Sequence, residues 1–179
     1  MIEVIDNFLD ESYINYICDG IGNVDWKYRR NISNDEVDAP WLHGFYHMIH
    51  DKSWEISFKS TKNELFLPAI FKIEDKFNVQ GCLTRSRLDL TLRSPDNTIH
   101  TPHKDFEYDH YACILYCNDS DGDTVIYNET EKSDEYTVQE VISPKKNRLV
   151  FFDGKYYHTG HSPSSHNYRV LLNSDFYKR

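Results

Sequence analysis

His103-Lys104-Asp105, within the stretch HTPHKDFEYDH at 100–110, sets two metal-capable side chains one residue apart. With nine histidines and 18 aspartates in 179 residues, chance supplies about one such pair, so the spacing alone says little. Conformation gives it meaning. In an extended chain residues i and i+2 share a face and i+1 points the other way. Pro102 favours extension by restricting Thr101 to β or polyproline space. His103 and Asp105 then converge, and Lys104 turns harmlessly away. The bland alternative is a surface loop that happens to carry a His and an Asp.

The run RLVFFDGKYYHTGHSPSSHNYRVLLNSDF at 148–176 adds two more groups of interest. His158 comes at the end of a strand-like piece, a loop follows, and Arg169 enters a last strand. Alternation puts Arg169, Leu171 and Asn173 on one face of that strand and Val170 and Leu172 on the other. An inward-facing arginine needs an anionic partner, and its planar fork suits a carboxylate. A protein acid such as Asp89 or a bound carboxylate would answer that need.

The elements that must position these groups follow from periodicity. IEVIDNF at 2–8 reads as a first strand. Asp10 caps a helix carrying Ile14, Ile17, Cys18 and Ile21 at helical spacing, which Gly20 and Gly22 end. A second helix spans about Lys62 to Phe77, with Pro68 in its first turn and a stripe of Leu67, Ile70, Phe71, Glu74 and Phe77. Residues 31–50 between them are aromatic, acidic and irregular, suited to a lid or substrate wall. After Gly81 the pattern alternates: Cys82, Thr84, Ser86, Leu88, Leu90 and Leu92 on one face; Leu83, Arg85, Arg87, Asp89, Thr91 and Arg93 on the other. About eight short strands follow one another, separated by Gly, Pro and Asp turns. A sandwich, jelly roll or barrel buries such strands.

The length suits one domain. A net charge of −9 without a Lys/Arg run excludes electrostatic capture of a nucleic-acid backbone. No apolar run reaches membrane-spanning length, and the acidic amino terminus does not look like a signal peptide. A cytoplasmic protein that does not engage a membrane is expected. Cys18, Cys82, Cys113 and Cys117 lack C-x-x-C spacing; Cys113 and Cys117 share a strand face and read as buried thiols.

The order His103-x-Asp105, distal histidine, late arginine resembles the Fe(II)/2-oxoglutarate oxygenases, most closely their prolyl 4-hydroxylase-like branch, over roughly Arg85 to Phe176. YACILYCNDSDGDTVIYNE at 111–129 is similar to that branch's strand, Asp/Gly turn and Gly-x-Thr strand. VFFDGKYYHTGHSP is similar to its Phe-Asp-Gly stretch before the distal histidine, and YRVLLNSDF to its arginine strand. The amino-terminal VIDNFLDESYINYI resembles the opening strand and helix of many such proteins.

The resemblance implies a mainly β (α+β) fold: a double-stranded β-helix, or jelly roll, with supporting helices from the N-terminal third. One oxygenase domain would fill 1–179, with a helical and irregular front over 1–80 and a jelly-roll core over 81–179. His103, Asp105 and His158 would be the Fe(II) ligands, a facial set that leaves positions open for 2-oxoglutarate and O₂. Arg169 would grip the distal carboxylate of 2-oxoglutarate, with Tyr116 hydrogen-bonding it. The implied reaction hydroxylates a C–H bond and releases succinate and CO₂. A peptidyl proline is the leading substrate, with a free amino acid or other small molecule next.

Two other classes use the same residues: a non-catalytic metal-containing jelly-roll binding protein, and a zinc hydrolase with the His₂Asp set. Neither needs the Arg169 grip. His158 is preferred to His161 as third ligand, because His161 follows Gly160 in loop-like sequence and has the opposite strand parity. It could instead be a buried structural histidine, and Tyr116 a core tyrosine. Arg85, Arg87 and Arg93 read as exposed strand arginines, with contact to cofactor or substrate the alternative. His43, His47, His50, His110 and His166 read as surface or loop groups, and the sequence leaves His100 unplaced.

Overall fold

The computed structural model describes residues 1–32, 41–52, 58–96 and 98–179. In chain order its elements are β1 (Ile2–Ile5), α1 (Glu11–Ile21), β2 (Lys27–Arg29), β3 (Gly44–Asp51), β4 (Phe58–Lys59), α2 (Asn63–Phe77), β5 (Leu83–Leu92), β6 (His110–Tyr116), β7 (Thr124–Tyr127), β8 (Val138–Ile142), β9 (Leu149–Asp153), β10 (His158–Gly160) and β11 (Tyr168–Tyr177). The large antiparallel sheet runs β1-β9-β6-β11-β5-β3-β2, with β4 on β3; the small one runs β10-β7-β8. The two sheets and two helices make the expected mainly β jelly-roll architecture.

Strand alternation divides the core. Outward residues of the large sheet, among them Leu88, Cys113, Leu115, Phe151, Val170 and Leu172, join Ile14, Ile17, Phe66, Ile70 and Ile73 of the helices in one apolar cluster. Inward residues Ala112, Ile114, Tyr116, Val150, Phe152 and Leu171 meet Ile126 and Ile142 of the small sheet in a second. All four cysteines are free thiols, with Cys113 and Cys117 both buried in the first cluster.

Four local expectations need correction. The region 31–50 is not irregular throughout: β3 pairs with β5 and β2, while residues 33–40 lie outside the described residues. A bulge between Met48 and His50 interrupts its alternation and hides the strand from a period-two reading. Asp10 occupies the N-cap position of α1 with extended geometry, but its side chain makes no capping hydrogen bond. Of the expected stripe of α2, Ile70 and Glu74 are buried, but the buried face is completed by Phe66, Ala69 and Ile73 of the adjacent row, leaving Phe71 exposed. Both rows are apolar, and packing decides between them. Pro68 falls in the second turn, where its missing N–H frees the Glu64 carbonyl. The ladder is also open one residue later. There the Ala69 amide donates to the Tyr13 hydroxyl at 3.2 Å, and that hydroxyl donates to the Leu65 carbonyl at 2.8 Å. Tyr13 thus stitches α1 into the break, and Gly20 lets the helices approach, since a Cβ there would lie 2.4 Å from Leu65 Cδ2.

Candidate active site

The β5–β11 ladder is the floor of the site. Its register sets Arg85 opposite Asp175, Arg87 opposite Asn173, Asp89 opposite Leu171 and Thr91 opposite Arg169, all on the inner face. Above this floor lies a pocket of about 520 Å³, counting the solvent at its mouth, walled by His103, His158, His100 and Thr124.

The metal-capable cluster forms where the 101–109 loop meets β10. His103 and His158 pair as an antiparallel bridge, each amide donating to the other's carbonyl at 2.9 and 3.0 Å. The chain bends at Asp105, so the stretch is extended only as far as His103. The converging geometry survives: ligand atoms of His103, Asp105 and His158 lie within 4.8 Å of one another. Lys104 points elsewhere, to Glu107 at 3.0 Å and over the Tyr157 ring. His158 stands at the start of β10, not at the end of a strand, because the Asp153-Gly154 turn is followed by non-strand residues.

The donor set suits a divalent cation. His103 Nδ1 faces the Thr101 carbonyl at 3.0 Å and His158 Nδ1 the Tyr156 carbonyl at 3.4 Å. Protons held there leave each Nε2 with its lone pair for the site. Burial pushes His103 down to about 4, so it stays neutral. Burial opposes charge on His158 as well, but Asp105, with Oδ2 at 3.3 Å from Nε2, outweighs it and raises the imidazole. Asp105 Oδ2 is buried without a hydrogen-bond partner, the kind of orphan a cation would satisfy.

Arg85 holds the other Asp105 oxygen. It is not an exposed strand arginine: its side chain is 13% exposed, and its Nη2 donates to Asp105 Oδ1 and lies 2.8 Å from Asp175 Oδ2. Burial works against the Arg85 charge, but Asp175 and Asp105 raise it. Burial would raise Asp105 too, yet Arg85 and the histidines hold it well below the usual carboxylate range. Asp175, buried completely, is pushed up to about 7 despite Arg85. Asp105, His110 and Asp175 form a second group of ligand-capable atoms, and the Arg85 guanidinium pairs with both of its carboxylates.

Arg169 is 6% exposed, and its Nη2 donates to Thr124 Oγ1 at 2.5 Å. Tyr116 donates to the same oxygen at 2.6 Å, with its ring 5.6 Å from the guanidinium. Gly122 and Gly160 leave room for this arginine: a Cβ on Gly160 would stand 2.8 Å from Nη1, and one on Gly122 3.2 Å from Cδ. Among the described residues no carboxylate forms an ion pair with Arg169, and its Nε is buried unbonded. Asp89, the candidate protein partner, pairs with Arg87 instead. Tyr116 is fully buried and does not itself line the pocket; it touches Thr124 and Arg169, which do.

His161 is half-buried and pairs through its backbone with Ile99, away from the metal-capable trio. Two histidines assigned to the surface are buried. His47 bonds the Asp25 carbonyl and Ser60, and His110 faces the Tyr108 carbonyl beside Asp175. His100, now placed, lines the pocket, bonds Ser162 at 2.8 Å and is driven down to about 3 by burial. Sequence reasoning missed Arg85 and Asp175 as a unit, although alternation had already put Arg85 on the face of Arg87 and Asp89.

No protein-family model matches the sequence, and no curated protein is detectably similar to it. Solved structures do share the fold. An oxidoreductase of the 2OG-Fe(II) oxygenase family from Burkholderia pseudomallei superposes with a TM-score of 0.75 at 11% identity, over 99% of this chain and 85% of its own. A prolyl hydroxylase from Trichoplax adhaerens, in complex with a hypoxia inducible factor oxygen degradation domain peptide fragment, gives 0.66 at 13%, over 98% and 83%. The non-heme alpha ketoglutarate dependent epimerase SnoN from nogalamycin biosynthesis gives 0.68 at 10%, over 98% and 76%. The fold is that of the 2OG-Fe(II) oxygenases.

Proposed function

We propose that this protein is an Fe(II)- and 2-oxoglutarate-dependent dioxygenase that hydroxylates a C–H bond. The observation that carries the reading is a His₂Asp trio whose two histidines share a pocket with a buried arginine that no carboxylate among the described residues answers. A 2-oxo acid with a second carboxylate fits both ends. His103 Nε2, His158 Nε2 and Asp105 Oδ2 would hold Fe(II). When bound, the iron supplies the centre at which O₂ and the 2-oxo acid react. Overall, R–H, O₂ and 2-oxoglutarate give R–OH, succinate and CO₂.

The chain's own groups have separable roles. Arg169 supplies charge and a fork for the distal carboxylate. Thr124 Oγ1 accepts from both Arg169 and Tyr116, which fills its lone pairs and leaves its hydrogen free to donate to the same carboxylate. Tyr116 therefore acts through Thr124. Arg85 occupies Asp105 Oδ1 and leaves Oδ2 for the metal. A zinc hydrolase or a metal-carrying binding protein leaves Arg169 without a purpose. The substrate is a peptidyl prolyl residue or a small molecule; among the fold neighbours, one was solved with a peptide and one is an epimerase of nogalamycin biosynthesis. No helix among the described residues is long and apolar enough to cross a membrane.

Anaerobic titration with Fe(II) and 2-oxoglutarate tests the reading. A visible charge-transfer band should need both components. A band absent from the wild type, with either component order, would reject it.

A further inference from the structure

The apolar layer between the sheets takes large-sheet residues from β1, β9, β6 and β11 only. The inner face of β5 and β3 continues past it. Register puts Arg87, Asp89 and Thr91 of β5 beside Met48, Tyr46 and Gly44 of β3 on that polar shelf. Arg87 and Asp89 line the same pocket as His103 and His158 of the metal-capable trio.

This ion pair has no evident structural purpose. Arg87 Nη2 donates to Asp89 Oδ2 at 3.0 Å. Its Nε lies 2.7 Å from Oδ1, but the Nε–H is aimed off the carboxylate and is buried without an acceptor. Directly across the ladder Asn173, 8% exposed, keeps its Oδ1 unbonded and also lines the pocket. The shelf thus offers one cationic fork, one carboxylate and one spare acceptor, with no net charge. In a partly buried site a singly charged ligand leaves one of the pair unmatched. A prolyl peptide brings amides, which need neither charge. A ligand bearing an ammonium and a carboxylate on one carbon answers both: its carboxylate on Arg87, its ammonium on Asp89 and Asn173 Oδ1.

We infer that the Arg87–Asp89–Asn173 cluster binds the head group of a free α-amino acid, whose side chain is then the part presented to the metal. This rests on the oxygenase reading and narrows it. The 2-oxo acid is provided for separately, by Arg169 and the metal.

The test uses the full-length protein loaded anaerobically with Fe(II) and 2-oxoglutarate. The twenty common free amino acids, their N-acetyl and C-amide derivatives, and end-blocked prolyl peptides are each added. Two quantities are read: the shift of the charge-transfer band without O₂, and succinate release with it. At least one free amino acid should shift the band and stimulate succinate release, and blocking either end should abolish both. Arg87→Gln and Asp89→Asn should each weaken that amino acid roughly 10- to 100-fold, while leaving 2-oxoglutarate affinity within about twofold. Arg87→Lys should recover part of the loss. A response to end-blocked prolyl peptides and not to free amino acids overturns the inference, as does silence across the whole panel. Loss of 2-oxoglutarate affinity in Arg87→Gln also overturns it, by assigning that arginine to the co-substrate. A band that never forms rejects the oxygenase reading instead, and a variant that has lost its fold forms no band.

Discussion

Arg85 and Arg169 sit on neighbouring strands, face the same way and are both largely buried. Arg85 spends its hydrogen bonds on two protein carboxylates; Arg169 has a threonine, a tyrosine ring and an unbonded Nε. The same residue type therefore serves opposite ends. A buried cation whose partners are in the chain is part of the architecture. One that meets no anion among the described residues is where the proposed co-substrate would bring one. Burial alone does not separate the two; the partner count does.

The largest expected effect comes from removing the paired arginine. Arg85→Ala strands two buried carboxylates and should cost about 3–5 kcal/mol of stability, read by urea denaturation of the metal-free protein, together with most of the Fe(II) affinity. Arg169→Met should be nearly neutral to folding and to iron, yet weaken 2-oxoglutarate by about 2–5 kcal/mol, read by calorimetric titration of each ligand. Equal loss of both ligands in Arg169→Met would erase the contrast.

A pH measurement sharpens the Arg85 side. Asp175 holds its proton up to about 7 in the fold, whereas an unfolded aspartate releases it near 3.9. Between those values this carboxyl binds more protons in the native state, so its own contribution to stability should fall as pH rises and level off above 7. Burial keeps His100 and His103 neutral in the fold, which pushes stability the other way over the same range, so the Asp175 contribution is read as a difference: from about pH 4.5 to 7.5 the melting temperature of metal-free Asp175→Asn should rise relative to that of the wild type by several degrees. Asp105 is shifted the other way, so its contribution is lost only below about pH 4, outside this window. The smallest effect belongs to Lys104, whose ammonium meets only exposed Glu107 and the Tyr157 ring. Lys104→Ala should change iron affinity less than about twofold; loss of iron would mean that its side chain supports the trio after all.

Much of this was legible in the residues. Alternation in 82–93 and 169–173 assigned faces of β5 and β11, and the observed register follows them from Arg85 to Thr91 and from Arg169 to Asn173; a bulge at Asp175/Phe176 turns Leu83 to the outer cluster instead. The helices were legible to within a residue or two, though not the row that α2 buries, since two adjacent rows are apolar. What was lost depended on partners distant in the chain. Arg85 looked exposed because neither Asp105 nor Asp175 is near it in sequence, and burial of a cation is decided by who stands opposite. His47 and His110 looked like surface residues because imidazoles carry no local mark of burial; carbonyls of Asp25 and Tyr108 take their ring nitrogens. The strand β3 was obscured by its own bulge. The His103-x-Asp105 spacing brought the right side chains together through a slightly different backbone, one extended residue and a bend.

The paired amides of His103 and His158 bear on how the protein comes by its metal. Two backbone hydrogen bonds clasp the loop carrying two members of the trio to the strand carrying the third, and neither bond needs a cation. Ion uptake would then be a docking event onto a cradle held by its own amides, with little chain entropy left to surrender. Amide hydrogen exchange at 103 and 158 should be slow in the metal-free protein and hardly slower once loaded. A cradle so held would keep its shape while one divalent ion leaves and another enters.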